Sequence, residues 1–161
     1  MTTRKRNLAA RDEYLLREIL QSATLAALMD SRRWEPGDIA FQGGTSLHLA
    51  HGSARFSEDL DFMVRGGLSL EGLSREVHKR LRLPPGIPSD LAVSVTPIKN
   101  DRNPHSFYVT LSGPRVIGSV KVKIELWKTQ EKALSSLALK VSTISSAAGQ
   151  AFVPTLTLDE I

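Results

Sequence analysis

The stretch VKVKIEL, residues 120–126, sets the tightest limit on how this chain can fold. Val120, Val122, Ile124 and Leu126 alternate with Lys121, Lys123 and Glu125. Successive side chains of a strand point to opposite faces, so this strand has one apolar and one charged face. The apolar face needs a second layer over it. Residues 12–32 offer one. Leu15, Leu16, Ile19, Leu20, Ala23, Ala26 and Ala27 recur at helical spacing with no Gly or Pro among them. Asp12 and Glu13 fall in the first turn of that helix and Arg32 and Arg33 in its last, as the macrodipole favours. Glu35-Pro36-Gly37 then breaks the chain.

The remaining elements follow the same logic. Ile39 to Phe41 reads as a short buried strand, Gly43-Gly44 as a turn, and Thr45 to His51 as a short helix ended by Gly52. Leu60 to Val64 reads as a second strand closed by Gly66-Gly67. Ser69 is placed to cap a helix from Leu70 to Leu81, with Leu70, Leu73, Val77 and Leu81 on one face. Leu91 to Ile98, Ser106 to Leu111 and Val116 to Trp127 are rich in β-branched and aromatic residues, and read as strands. Leu137 to Ile144 and Ala151 to Thr157 suggest a hairpin around Ala147-Ala148-Gly149. The expected fold is α+β: a mixed β-sheet with helices packed mainly on one face, forming a single domain over residues 1–161.

Bulk properties narrow the function classes. The 161 residues suit one core and include no cysteine, so disulfides and thiolate metal sites are excluded. No apolar run approaches the roughly 18 residues that span a bilayer. Residues 1–11 are basic and lack the apolar region of a secretory signal, which makes a cytoplasmic location the expectation. The net charge is +4 and the pI about 9.6, compatible with a phosphate-bearing partner. Most of the scattered basic residues are equally compatible with an ordinary solvated surface.

The chemistry concentrates in residues 41–64, FQGGTSLHLAHGSARFSEDLDFMV. Asp59 and Asp61 are two apart on a strand and share a face, while Leu60 and Phe62 point to the core. Two carboxylates so close repel unless cations bridge them, and Mg²⁺ is the natural oxygen-liganded partner. Taken alone, such a pair is more often two exposed strand-end acids. Gly43-Gly44-Thr45-Ser46 lies between a strand and a helix, where backbone N–H groups and hydroxyls can cradle phosphate. Taken alone, it is equally an ordinary turn with a capping hydroxyl. Together, the two features bring anion-binding amides and metal-binding carboxylates to one cleft. Glu125, on the charged face beside Lys121 and Lys123, is the candidate third carboxylate, with Asp90 and Asp101 as weaker alternatives in loops. The two lysines suit triphosphate oxygens, or else a surface Lys–Glu face. Arg55 suits a phosphate or a salt bridge to Glu58. His48 and His51 are better read as hydrogen-bonded or exposed than as metal ligands. Phe56, Phe107, Tyr108 and Trp127 can stack a base, although most aromatics in such a chain belong in the core.

The run GGTSLHLAHGSARFSEDLDF resembles the AbiEii-type toxins of the nucleotidyltransferase superfamily. Gly43, Gly44, Thr45, Leu47, Arg55, Ser57, Asp59, Asp61 and Phe62 fall on that family's pattern. The resemblance implies a nucleotidyltransferase fold and transfer of a nucleotidyl group from a nucleoside triphosphate to an acceptor, such as tRNA or another RNA. Two Mg²⁺ ions on Asp59, Asp61 and Glu125 would serve the reaction. Gly43, Gly44, Thr45, Ser46, Arg55, Lys121 and Lys123 would hold the triphosphate. It also implies the toxin of a bacterial toxin–antitoxin or phage-defence pair, with a transcriptional-regulator antitoxin as partner. One departure matters. The chain ends at Leu158-Asp159-Glu160-Ile161, where the family runs on into a helical C-terminal half. A catalytically inactive nucleotide- or RNA-binding remnant is therefore the alternative expectation.

Overall fold

The computed structural model describes residues 4–52, 57–134, 137, 139–146 and 149–157. Its first helix, α1 (Ala10–Asp30), occupies the expected place but ends earlier. Asp12 and Glu13 lie in its first turn, whereas Arg32 and Arg33 fall beyond its end. The stop is built from side chains. The Leu28 carbonyl accepts from Ser31 Oγ at 2.6 Å and from Trp34 Nε1 at 2.9 Å. Those bonds satisfy a helix-end carbonyl that lacks an intrahelical donor. Arg32 instead lies 5.0 Å from the Trp34 ring centroid, a cation–π pair.

Short strands and helices alternate after α1. They are β2 (Ile39–Gln42), α2 (Gly43–Leu49), β3 (Leu60–Arg65) and α3 (Leu73–Arg80), preceded by a two-residue β1 (Arg6–Asn7). The Gly43-Gly44 pair is the first turn of α2 and not a separate turn before it. Helix α3 starts later than expected. Gly72, at φ +73°, is its N-cap, and Ser69 lies in the turn before it. The expected apolar face is right: Leu70, Leu73, Val77 and Leu81 are all buried. The C-terminal half is β: β4 (Ala92–Val95), β5 (His105–Ser112), β6 (Val116–Ile117), β7 (Val120–Thr129), β8 (Leu139–Ser146) and β9 (Gly149–Leu156). The stretch Val116 to Trp127 is not one strand. Gly118, at φ +89°, interrupts it. The freed Val116–Ile117 segment pairs in parallel with Arg6–Asn7. Arg6 also clasps Asp90 at 2.9 and 3.0 Å, so part of the N-terminal basic cluster is structural.

Seven strands form one mixed sheet in the order β4-β5-β7-β3-β2-β9-β8. The β3–β7 and β2–β9 pairs are parallel and the rest antiparallel. One face carries Phe41, Leu60, Phe62, Val64, Val109, Val122, Ile124 and Leu126, packed with residues of α1 and α3 into one core. Phe41 and Phe62 stack with ring centroids 5.1 Å apart. Full burial of each such side chain contributes on the order of 1.5–3 kcal/mol. The other face is polar at its centre. A satellite cluster of Ala40, Leu134 and Leu156 covers part of it on the β2 side.

Gly66 and Gly67 dock the end of β3 onto the segment after β7. A β-carbon on Gly66 would stand 2.2 Å from the Thr129 carbonyl oxygen. Glu131 accepts the Gly67 N–H at 2.7 Å and pairs with Arg65, which also reaches Asp38 at 3.0 Å. Those contacts fasten β3 at the end away from its aspartates.

Candidate functional site

The polar centre of the second sheet face follows from strand register. Gln42 lies opposite Asp61, Asp61 beside Glu125, and Glu125 opposite Ser106, in one row across β2, β3, β7 and β5. Leu60 is beside Ile124 and Phe62 beside Leu126, so the apolar neighbours pack inward while the acids turn outward. Asp59 precedes Asp61 by one pleat. Like charges on adjacent strands destabilise a sheet, and this pair is set in the interior of the sheet, away from its edges.

The electrostatics reflect that placement. The Asp61 carboxyl is pushed above its ordinary value, first by burial, then by the negative charges of Glu125 and Asp59. A hydrogen bond from the Trp127 indole and the charge of Lys123 offset part of this. Asp59 is pushed up by burial, then by Glu125, with Lys123 again opposing. Lys123 Nζ lies 2.7 Å from Glu125 Oε1. The three acids thus interact with one another and share one ammonium group.

The glycine turn abuts them. Gly43 has φ +79°, and a β-carbon there would stand 2.8 Å from Asp61 Oδ2. Glycine is required here on both counts. The hydroxyls of the turn are engaged elsewhere. Thr45 is buried and its Oγ1 donates to the carbonyl oxygens of Asp59 and, at 3.3 Å, Ser57. Ser46 is fully buried, its Oγ 3.5 Å from the Phe41 carbonyl oxygen. Only Gly43 and Gly44 of this turn are partly open to solvent, while Thr45 braces the segment entering β3.

A second brace was not apparent from sequence. Gln21, fully buried on α1, donates through Nε2 to the carbonyls of Ser57 at 2.7 Å and Glu58 at 3.2 Å. Gln21 and Thr45 thus converge on Ser57, Glu58 and Asp59, the two residues before the aspartate pair and its first member. A glutamine within a helix reads as solvent-facing, and the only local hint is that Ser22, Ala23 and Thr24 around it are small. Trp127 is one of the four aromatics able to stack a base, most of which were expected in the core. It is 39% exposed, two residues beyond Glu125 on the face that carries the acids, and its indole helps to lower the Asp61 pKa.

The other candidates separate. Lys121 is exposed, its Nζ 6.0 Å from the Tyr108 ring centroid, two residues further along the strand than Lys123. Phe107 is core, whereas Tyr108 is 36% exposed on the site face. Arg55 and Phe56 lie outside the described residues. Glu58 pairs with Arg17 at 3.7 Å. Asp90 is held by Arg6, remote from the site. His48 faces Glu18 at 3.6 Å, and His51 Nε2 lies 3.1 Å from the Leu156 carbonyl oxygen. Among the described residues no group of three or more acidic or histidine side chains is gathered closely enough, as they stand, to hold a metal ion. Asp59, Asp61 and Glu125 have the hard-oxygen chemistry Mg²⁺ prefers and a repulsion, only partly offset by Lys123, that a cation relieves. One of the three is turned to Lys123.

These features define a nucleotidyltransferase-like sheet with paired acids against a glycine turn. Residues 26–161 match the model of the nucleotidyl transferase AbiEii toxin family, type IV toxin–antitoxin system, and the chain belongs to that family. No curated protein matches the sequence. Among solved structures, the fold is similar to that of MenT4, a nucleotidyltransferase toxin from Mycobacterium tuberculosis. That match has a TM-score of 0.60 and 18% identity, and covers 94% of this chain and 51% of that one. It is also similar to JHP933 from Helicobacter pylori, with a TM-score of 0.58 and 20% identity, covering 94% of this chain and 54% of that one. The chain therefore spans about half the length of the solved structures it matches. Among the described residues no helix is long and apolar enough to cross a membrane.

Proposed function

We propose that this chain transfers a nucleotidyl group from a nucleoside triphosphate to an RNA acceptor such as tRNA, as the toxin of a toxin–antitoxin or phage-defence pair in the cytoplasm. The row Gln42–Asp61–Glu125, with Gly43 pressed against Asp61, is the observation that carries the reading. It supports a site where a triphosphate and divalent cations meet. Asp59, Asp61 and Glu125 would hold Mg²⁺, in keeping with the burial and mutual repulsion that raise the pKa of both aspartates. When bound, the metal would neutralise charge on the phosphates and on the attacking and leaving oxygens.

The chain's own residues do the positioning. The backbone N–H groups at Gly43 and Gly44 hold the β and γ phosphates, Thr45 and Ser46 support that turn from the interior, and Lys123 and Lys121 balance the phosphate charge. Arg55 is a further phosphate ligand. The acceptor hydroxyl attacks the α phosphorus in line, a new oxygen–phosphorus bond forms, and pyrophosphate leaves with the electrons of the broken bond. Gln21 and Thr45 act through the backbone, keeping the aspartates in place. Catalysis rests on orientation and charge stabilisation, with no covalent enzyme intermediate. A transcriptional regulator is the fitting antitoxin partner.

The test is incubation with each α-labelled nucleoside triphosphate, Mg²⁺ and total tRNA. Label transfer that Asp59→Ala abolishes supports the enzyme. Nucleotide binding with no transfer under any of these conditions refutes it in favour of an inactive nucleotide-binding remnant.

A further inference from the structure

We propose that Lys123 is a resident counter-ion, its ammonium standing among the acids in the free protein and handed over to the triphosphate when a divalent cation arrives. The inference rests on the metal-dependent reading of Asp59, Asp61 and Glu125 and adds an order of events to it.

Geometry carries it. Lys123 and Glu125 are two apart on β7 and share a face. Lys123 Nζ is 2.7 Å from Glu125 Oε1, and the lysine side chain remains 32% exposed while the glutamate is 14% exposed. The ammonium thus covers the carboxylate from the solvent side. Asp61 flanks Glu125 on β3, so the lysine stands beside a cluster of negative charges. Its attraction to Asp59 and Asp61 agrees with this. No group of three described acids is gathered for a metal while Glu125 is so engaged.

Two consequences follow. A divalent cation binding alone must displace the lysine from Glu125 and leave two positive centres side by side. A triphosphate binding alone attracts the lysine but meets three carboxylates. Each ligand removes the obstacle to the other, so metal and triphosphate bind with positive coupling. Such coupling is ordinarily about 5- to 150-fold. Lysine suits the exchange because its flexible stem carries a point charge that can swing between partners.

The test uses the intact chain and the variant Lys123→Met, which keeps the stem and removes the charge. Free Mn²⁺ is followed by electron paramagnetic resonance in nucleotide-free buffer. Inorganic tripolyphosphate is titrated calorimetrically in metal-free buffer. The expected signature has opposite signs: Lys123→Met binds Mn²⁺ about tenfold more tightly than the parent and tripolyphosphate about tenfold more weakly. Lys123→Arg should stay near the parent in both, since it keeps the charge. Circular dichroism establishes that each variant is folded. Mn²⁺ binding by Lys123→Met that is equal to or weaker than the parent's overturns the counter-ion role and leaves the metal site standing. Absence of Mn²⁺ binding in every protein, even with tripolyphosphate present, overturns the metal-dependent reading together with this inference.

Discussion

Replacing Asp61 by asparagine should stabilise the protein at neutral pH while removing its proposed chemistry. The substitution keeps the side chain's shape and leaves an amide oxygen available to the Trp127 indole. What it removes is a negative charge beside Glu125 and one pleat from Asp59. At about 6 Å, two unit charges interact by roughly 0.7 kcal/mol in water and about 3 kcal/mol at the effective dielectric of a protein surface. Loss of the attraction to Lys123 offsets part of that gain, leaving about 1 kcal/mol. For a chain of this size such a change moves Tm by about 2–4 °C. The pH dependence has a definite sign. Asp61 has a higher pKa folded than unfolded, so the folded state holds more protons as pH rises from about 4 through the raised value. Parent stability therefore falls across that window and stays lower above it. Below it the carboxyl is protonated in both states and the variant has no advantage. Differential scanning calorimetry from acid to neutral pH measures this directly. A variant that is no more stable than the parent at pH 7, or one whose gain persists undiminished in acid, would refute the view of Asp61 as a destabilising charge.

Other substitutions probe the scaffold around the acids. Gly43→Ala places a β-carbon at φ +79° and 2.8 Å from Asp61 Oδ2; it should cost at least about 1 kcal/mol in urea denaturation and weaken Mn²⁺ binding. Gly66→Ala forces a methyl to 2.2 Å from the Thr129 carbonyl oxygen. A loss of about 1–3 kcal/mol is expected from such overpacking, read from the urea midpoint. Gln21→Met, of similar volume, strips a donor from the Ser57 and Glu58 carbonyls. It should lower stability by about 1–3 kcal/mol and reduce Mn²⁺ affinity, whereas a purely structural Gln21 would leave the affinity of the folded variant unchanged.

How much of this was legible beforehand depended on the range of the interaction. The aspartate pair could be read because a strand's period of two is local, and the same holds for the Lys121–Lys123–Glu125 face. Gly43 could be flagged as a close-approach residue and placed in one cleft with the acids, but its direct contact with Asp61 is set by folding. Glu125 could be nominated, yet its place beside Asp61 is a pairing across 64 residues that only the sheet order decides. The hydroxyls of Thr45 and Ser46 were assigned to a ligand because a turn before a helix suggests exposure; burial gave them to the backbone instead. Gln21 was hidden by the same rule in reverse, a polar side chain enclosed because the helix is covered on several sides. The break at Gly118 and the two-residue pairing with Arg6–Asn7 lie below the length at which alternation can be recognised.

The buried hydroxyls and Gln21 share a physical cause that bears on the site. A sheet that sets two or three carboxylates side by side at its centre loses stability there, and the strand carrying them must be held against repulsion. Leu60 and Phe62 anchor it from within the core, Arg65 and Gly66 fasten its far end, and Gln21 with Thr45 grip the backbone on entry. None of these residues needs to touch a substrate. Buried polar groups of this kind are retained when their hydrogen bonds are made, because removing one partner strands the other away from water. The polar residues that sequence reasoning would assign to solvent or ligand are thus the ones holding the acids in register.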